Sequence, residues 1–474
     1  MTDPVLILGG GPCGLAAAWE LCDRGVPSIV LERETRPGGL CATVEHRGWR
    51  FDLGGHRFIT GNRELQRRVT ALAGDLLLEA ERKSVVLAGG KRFRYPLAAG
   101  DLLRNLGVRA NVAALGGFLW ERLRRRFAPR DDATFAGWVT ARFGAPLYRR
   151  FFGPYTEKLW GVPATQISGD WAAQRISLLD LGDVALRLAG LRRAPVRTYA
   201  RRYLYPRLGM GQFFARLADH VSASGSEVIL GAEVTGLEVE RDSVAAVTFR
   251  DFEGRARTVA CSHVVSTIPL AALARQLAPG LATAAASRLR FRGLRFLNLL
   301  LDLPDVSDST WMYVSDPRYP MSRIQEPRRR SPEMAPPGKT SLMLEIPCQP
   351  GDALWTVPDA ELAERMLGDL ASLGFDVRPH MLGVFSERVE HGYPIYHLTY
   401  RQDCDALLAG VERFRNVWTA GRQGLFRYVF MDAAMEMGFL AARQIAGSEA
   451  PERARIYRVG NDPRLIETQA LTAA

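Results

Sequence analysis

Four consecutive apolar residues, Val5-Leu6-Ile7-Leu8, run directly into Gly9-Gly10-Gly11-Pro12-Cys13-Gly14, and a helical apolar pattern follows from Leu15 to Leu21. A second apolar run, Ser28-Ile29-Val30-Leu31, ends in Glu32. Short apolar runs separated by a helical pattern predict a strand, a tight turn, a helix and a second strand parallel to the first. The same signal returns late in the chain. Asn416-Val417-Trp418-Thr419-Ala420-Gly421 predicts a strand closed by glycine, and 430–446 predicts a helix. Both ends of the chain are then expected in one sheet. Between them the pattern reads mainly helical from about 63 to 190, with a break at Phe152-Gly153-Pro154-Tyr155. An amphipathic helix is expected over 210–221, and alternating strands over 227–230, 234–239, 245–249, 258–259 and 263–267. From about 288 to 400, β-rich segments (296–301, 340–345) alternate with a helix near 358–373. The Pro/Arg-rich stretch 326–339 reads as a loop.

These elements predict an α/β chain. A discontinuous Rossmann-type dinucleotide-binding domain would comprise 1–62, 201–275 and 410–450. A mainly helical insertion would span 63–200, an interleaved α+β substrate domain 276–409, and a C-terminal tail 451–474. At 474 residues the chain exceeds one ordinary core. The glycine turn has the spacing G-x-G-x-x-G, with an acid 18 residues beyond the last glycine. Gly9 permits the turn, Gly11 lets backbone N–H groups approach a pyrophosphate, and Gly14 lets helix and strand pack closely, while Glu32 is placed to accept from a ribose diol. The helix N-terminus offers unpaired N–H groups to phosphate.

Composition adds a preference for anions. Lys and Arg number 62 against 51 acids, a formal charge of +11, and nearly all the cations are arginine. Arginine forks suit phosphate and carboxylate, so an anionic small molecule is expected; solvated arginine-rich faces are the bland alternative. No nucleic-acid module accompanies the charge. The basic run 122–126, with Arg130, follows the apolar 115–120 on an expected helix. That pattern suits peripheral contact with a membrane surface, or equally a solvated face. The six cysteines show no metal-ligand or CxxC spacing, so reduced thiols, no metal site and a cytoplasmic location are expected. No apolar stretch reaches transmembrane length, and the N-terminus lacks a signal-peptide pattern.

The glycine turn, Glu32, Pro37-Gly38-Gly39, Asp52-Leu53-Gly54-Gly55-His56 and Gly421-Arg422 together resemble the FAD-dependent amine-oxidase-type superfamily. That group includes protoporphyrinogen oxidases, phytoene desaturases and UDP-galactopyranose mutases. Several segments resemble the mutases in particular. These are Tyr155-Thr156-Glu157-Lys158-Leu159-Trp160-Gly161, Phe291-Arg292-Gly293-Leu294-Arg295-Phe296, Ser322-Arg323-Ile324 with Glu326, Tyr393-Pro394, and Gly421-Arg422 through Tyr428 to Met431-Asp432. The resemblance implies a glutathione-reductase-like FAD domain, with pyrophosphate on Gly9, Gly11, Pro12, Cys13 and Gly14 and ribose on Glu32 beside Arg33. It implies Gly38, Gly39, Leu40, Gly54, Gly55 and His56 against the flavin, Val234 against adenine, and Gly421, Arg422, Tyr428, Met431 and Asp432 at the flavin end. His56, Arg292 and Tyr393 would be catalytic. Tyr155, Trp160, Arg201 (near Arg197 and Arg202), Arg292, Arg323 and Tyr393 would hold substrate.

The mutase likeness implies that reduced flavin N5 acts as a nucleophile on a nucleotide-activated sugar. The wider superfamily implies an oxidoreductase of amine oxidase, porphyrinogen oxidase or desaturase type, and a non-catalytic flavin-binding protein is a third class. No cysteine lies beyond Cys404, so non-covalent FAD is expected. No second G-x-G-x-x-G unit is present, so NAD(P)H or another reductant would dock transiently. The sequence departs from the mutase pattern on the substrate side, at Ile59-Thr60, Met321 and Gly392.

Overall fold

In the computed structural model, which describes residues 3–95, 104–105, 107–124, 127, 131–176, 202–278, 280 and 283–460, both ends of the chain enter one sheet. Its five strands are all parallel, in the order Val417–Thr419, His263–Ser266, Val5–Leu8, Ser28–Glu32, Glu227–Leu230. Val5–Leu8 is buried throughout, as a central parallel strand covered on both faces must be. The chain leaves this sheet through an antiparallel excursion, Glu233–Glu240, Ser243–Arg250 and Ala256–Ala260, before returning at His263. The architecture is mixed α/β with a parallel sheet.

A second sheet of seven strands runs Met381–Pro394, Phe291–Leu301, Thr340–Cys348, Arg323–Gln325, Trp311–Val314, Ser84–Ala88, Lys91–Arg94. The last two strands correct the expectation of a mainly helical segment from 63 onward. Leu77–Glu81, Ser84–Ala88 and Lys91–Arg94 are strands, and helices dominate only further on, at Val108–Arg124, Phe135–Phe143, Gly153–Trp160 and Gly169–Ile176. Stretches of four or five residues give too few periods to separate strand from helix. The break expected near 152–155 is a wider π-type turn, Tyr148–Phe152, feeding the helix Gly153–Trp160. The stretch 326–339 holds two single turns, Pro327–Arg329 and Pro332–Met334.

The hairpin Thr43–His46 and Trp49–Asp52 ties the two sheets together. Its Trp49 and Phe51 pack with Leu294, Phe296 and Met343, and the Trp49 indole donates to the Thr340 carbonyl at 2.9 Å. Beside the parallel sheet, three helices converge on the buried carboxylate of Glu20. Arg24, at the end of Pro12–Asp23, the helix that carries Glu20, with Arg68 from Arg63–Ala73 and Arg443 from Met431–Ile445, all donate to it. Burial alone would raise the pKa of Glu20, but the hydrogen bonds from Arg443, Arg68 and Arg24 outweigh it and hold the group near 2.

Because the folded pKa lies below the unfolded one, this stability is present above about pH 4.5 and is lost as pH falls toward 2. Glu20→Gln should therefore cost about 3 kcal/mol at neutral pH by leaving clustered arginines unpaired. Denaturant melts across the acid range should show the variant's deficit shrinking as pH drops; a pH-independent deficit would contradict the ion-pair origin.

Candidate functional site

The ends of the parallel strands meet where connections depart in opposite directions, which is where such sheets form a crevice. Gly9 follows the first strand with φ +106°, and a Cβ there would strike Thr267 Oγ1. A Cβ on Gly14 would overlap the Gly9 carbonyl, so helix Pro12–Asp23 sits as close to the strand as glycine allows. Gly10 N–H donates to Glu32 Oε2 at 2.6 Å, and Gly38 N–H donates to the Gly10 carbonyl at 2.8 Å. Gly39 (φ +52°) rests on Gly11, with 3.2 Å between its notional Cβ and Gly11 Cα. Two glycine loops are thus stacked, and no side chain caps the helix behind them.

The crevice opens into a cavity of about 1460 Å³ that extends from these loops to the seven-stranded sheet. Gly9, Gly11, Pro12, Cys13, Glu32 and Arg33 line it at the strand ends. Gly39, Leu40 and Val234 line it beside them, whereas Gly14 and Gly38 serve behind the wall as packing positions. Glu32 is buried, and burial raises its pKa against the opposing hydrogen bonds from Glu34 and Gly10. Cys13 and Cys41 also line the cavity; burial pushes both thiols up, Cys41 to about 12, so neither is a thiolate at neutral pH.

The middle of the cavity is built by Gly54, Gly55 and His56 on one side and Gly421, Arg422, Tyr428, Met431 and Asp432 on the other. Asp52 anchors the first loop, accepting from Thr43 Oγ1 (2.6 Å), Tyr205 OH (2.6 Å) and Met210 N (2.9 Å). Burial, then the charges of Arg422, Arg330 and Arg323, pull the His56 pKa down to about 3. Its imidazole is therefore neutral across the physiological range, and its Nδ1 is buried with no protein partner. Arg422 donates to the Val429 carbonyl at 2.7 Å and lies 4.4 Å from the Tyr428 ring centre. Asp432, in the first turn of the helix Met431–Ile445, is raised to about 6 by burial.

The far end is cationic and aromatic. Arg323 pairs with Glu345 Oε1 at 3.1 Å and reaches Tyr393 OH at 3.4 Å; Tyr393 OH donates to the same oxygen at 2.9 Å. Burial and the Glu345 carboxylate push the Tyr393 phenol well above its ordinary range, so it acts as a donor and not a base. For Arg323 burial works the other way, but the Glu345 carboxylate prevails and the guanidinium is held charged. Tyr155 lies edge-on to Tyr313 at 6.4 Å, and both line the cavity with Arg57 and Trp311. Sequence reasoning did not single out Glu345, Trp311, Tyr313 or Arg57. The i, i+2 spacing of Trp311 and Tyr313, and the position of Arg57 directly after His56, were the available signals.

Two residues expected at the substrate do not reach the cavity. Arg292 is turned away from it, donating to the carbonyls of Leu159 (3.2 Å) and Pro347 (2.9 Å) and packing on Gly161. The strand register shifts between Arg292 and Leu294, and this irregularity brings Phe291 and Leu294, three apart, to the cavity wall instead. Trp160 is a buried anchor behind Trp171 (4.7 Å, edge-on) and Tyr393 (5.9 Å), and Trp171 is the tryptophan that lines the cavity there. Arg201, with Arg197, lies outside the described residues. His391 lines the cavity, while His397 pairs with Asp403 at 2.8 Å away from it. At Gly392, where the mutase pattern has an acid, a Cβ would meet Leu294 Cδ1 at 2.9 Å and the Arg292 carbonyl at 3.0 Å.

Residues 12–446 match the family model described as flavin containing amine oxidoreductase. The chain is 23% identical over 470 residues to coproporphyrinogen III oxidase of Propionibacterium freudenreichii subsp. freudenreichii, covering 85% of this chain and 84% of that protein. Among solved structures it resembles reduced UDP-galactopyranose mutase (TM-score 0.81, 21% identity, 96% of this chain and 98% of that one). It also resembles cyclohexylamine oxidase from Brevibacterium oxydans IH-35A (TM-score 0.64, 17% identity, 94% and 99%). At these identities the structural likeness speaks to the fold.

A Cβ at Gly11 would meet only Gly39 Cα, at 3.9 Å. Gly11→Ala should therefore leave the melting temperature of the cofactor-free protein unchanged while weakening dinucleotide binding roughly ten-fold or more, the worth of one charge-assisted hydrogen bond. Fluorescence titration with FAD checks this. Arg292→Met should instead lower thermal stability, by about 1–3 kcal/mol for buried carbonyls left unpaired, and leave FAD affinity intact. Loss of substrate affinity at unchanged stability would return Arg292 to the substrate site.

Proposed function

We propose, from the premise that the chain belongs to the flavin containing amine oxidoreductase family and is an FAD-dependent enzyme, that it rearranges a nucleotide-activated or other anionic sugar without net oxidation. The observation that carries this reading is the far end of the cavity, where Arg323 and Arg57 stand among the phenols of Tyr155, Tyr313 and Tyr393. Guanidinium forks and phenolic donors suit a diphosphate, whose charge grows as it departs.

The stacked glycine loops and the uncapped helix start fit a pyrophosphate-bearing cofactor, and the orphaned Nδ1 of His56 fits a hydrogen-bonding ring system beside it. FAD held there without a covalent link would supply, when reduced, a nucleophilic N5 for the anomeric carbon. Glu345 fixes the orientation of Arg323 and Tyr393 through one shared oxygen. Arg323 then holds the leaving diphosphate through the N–H groups not paired to Glu345, while Tyr393, its single proton given to Glu345, keeps that pair in place. Neutral His56 can accept or donate a hydrogen bond, but it carries no charge that would compete for the phosphate.

A second reading is supported by the same cavity's apolar wall, formed by Phe151, Phe152, Phe291, Leu294 and Trp355, and by the coproporphyrinogen oxidase relative. In it the enzyme oxidises an amine, porphyrinogen or comparable substrate, with the arginines receiving substrate carboxylates.

Anaerobic incubation of the oxidised and the dithionite-reduced enzyme with a panel of nucleotide sugars separates the two. An isomeric product from the reduced form alone is the expected result. Flavin bleaching by a porphyrinogen or amine, with no sugar converted, would overturn it. Arg323→Lys should keep FAD and raise KM roughly ten-fold or more, because a point charge cannot replace a fork already paired to Glu345. An unchanged KM would remove Arg323 from the substrate site.

A further inference from the structure

The described residues expose eleven large apolar side chains, and seven of them fall in one short segment: Val108, Val112, Leu115, Leu119, Trp120, Leu123 and Phe127. Five are spaced 4, 3, 4 and 4 residues apart along the helix Val108–Arg124, so they form one stripe. Exposures of 81% for Val108 and 54% for Leu119 put that stripe outward, and the exposed Trp120 flanks it. The opposite face seats the helix on the protein. A Cβ at Gly117 would strike the Pro146 ring, and Glu121 is buried beneath, paired with Arg124 at 3.0 Å.

Ordinary surface helices carry their apolar stripe inward. Here it faces out, and the exposed charged residues beside it are Arg104, Arg109 and Arg122, with no exposed carboxylate among the described residues of 104–127. We infer that this helix lies on an anionic bilayer surface, with Leu115, Leu119, Trp120 and Leu123 in the headgroup–acyl boundary and the arginines on lipid phosphates. An outward apolar stripe flanked by cations and carrying a tryptophan is what such an interface selects. A second copy of the chain fits less well. Pairing two such stripes antiparallel about their midpoint sets Arg109 of each helix opposite Arg122 of the other, with no exposed acid on either helix to offset the repulsion. Among the described residues no helix is long and apolar enough to cross a membrane, so the contact is peripheral.

Co-sedimentation of the FAD-loaded full chain with phosphatidylcholine vesicles, with and without phosphatidylglycerol, tests this. Binding is expected only to the anionic vesicles, falling as salt is raised. Arg109→Gln and Arg122→Gln should each weaken it about five-fold. Leu119→Asp, at a side chain more than half exposed, should weaken it at least about ten-fold with flavin content and circular dichroism unchanged. Equal binding to both vesicle types, no binding to either, or full binding by Leu119→Asp would overturn the inference. A dimer that Leu119→Asp converts to monomer, without vesicle binding, would assign the face to a second copy instead.

Discussion

The carbonyl oxygen of Gly9 occupies the place where any other residue at position 14 would carry its Cβ. That contact fixes how closely the first helix approaches the central strand, and much else follows from the distance. It leaves room for Gly38 to bond Gly10 and for Gly39 to rest on Gly11, and it sets the helix start beneath the cavity. It also brings Cys13 to within reach of two later elements: a Cβ at Gly438 would overlap the Cys13 carbonyl, and one at Gly421 would lie 3.0 Å from Cys13 Cβ. The opening and closing segments of a 474-residue chain are thereby locked against each other through positions without side chains.

Charge is distributed on the same economical plan. Glu20 gathers three arginines on one side of the parallel sheet, and Glu345 holds one arginine and one tyrosine at the far end of the cavity. Around His56 the arrangement is reversed. Arg323, Arg330 and Arg422 act on it together, while the nearby Asp52 is occupied by Thr43, Tyr205 and Met210. The middle of the cavity is consequently a region where a protonated imidazole is disfavoured.

The parallel sheet and its glycine turn were legible because each relies on local rules: an unbroken apolar run, a glycine where φ is positive, an acid at the next strand end. The far end was legible only in part, because it depends on registers that no local pattern reports. The shift between Arg292 and Leu294 accompanies the turning of Arg292 away from the cavity, whereas Arg323, on another strand, lines it. Trp160 and Trp171 are both aromatic anchors in sequence, and only the packing of one behind the other tells wall from support. Glu345 sits within a fully buried strand, Thr340–Cys348, where an isolated acid among apolar neighbours gives no hint of its partners. The strands at 84–94 were missed for a different reason, being too short to establish a period.

Lys158 adds a mechanical consequence. Its ammonium reaches the carbonyls of Val314, Asp316, Tyr319 and Met321 at 2.5–3.2 Å, although burial draws its pKa down to about 7. A single side chain thus rivets the helix Gly153–Trp160 to the connection between the strands that carry Tyr313 and Arg323. Tyr155, Tyr313 and Arg323 then form one rigid jaw, and any widening that admits a bulky molecule has to come from the wall facing them.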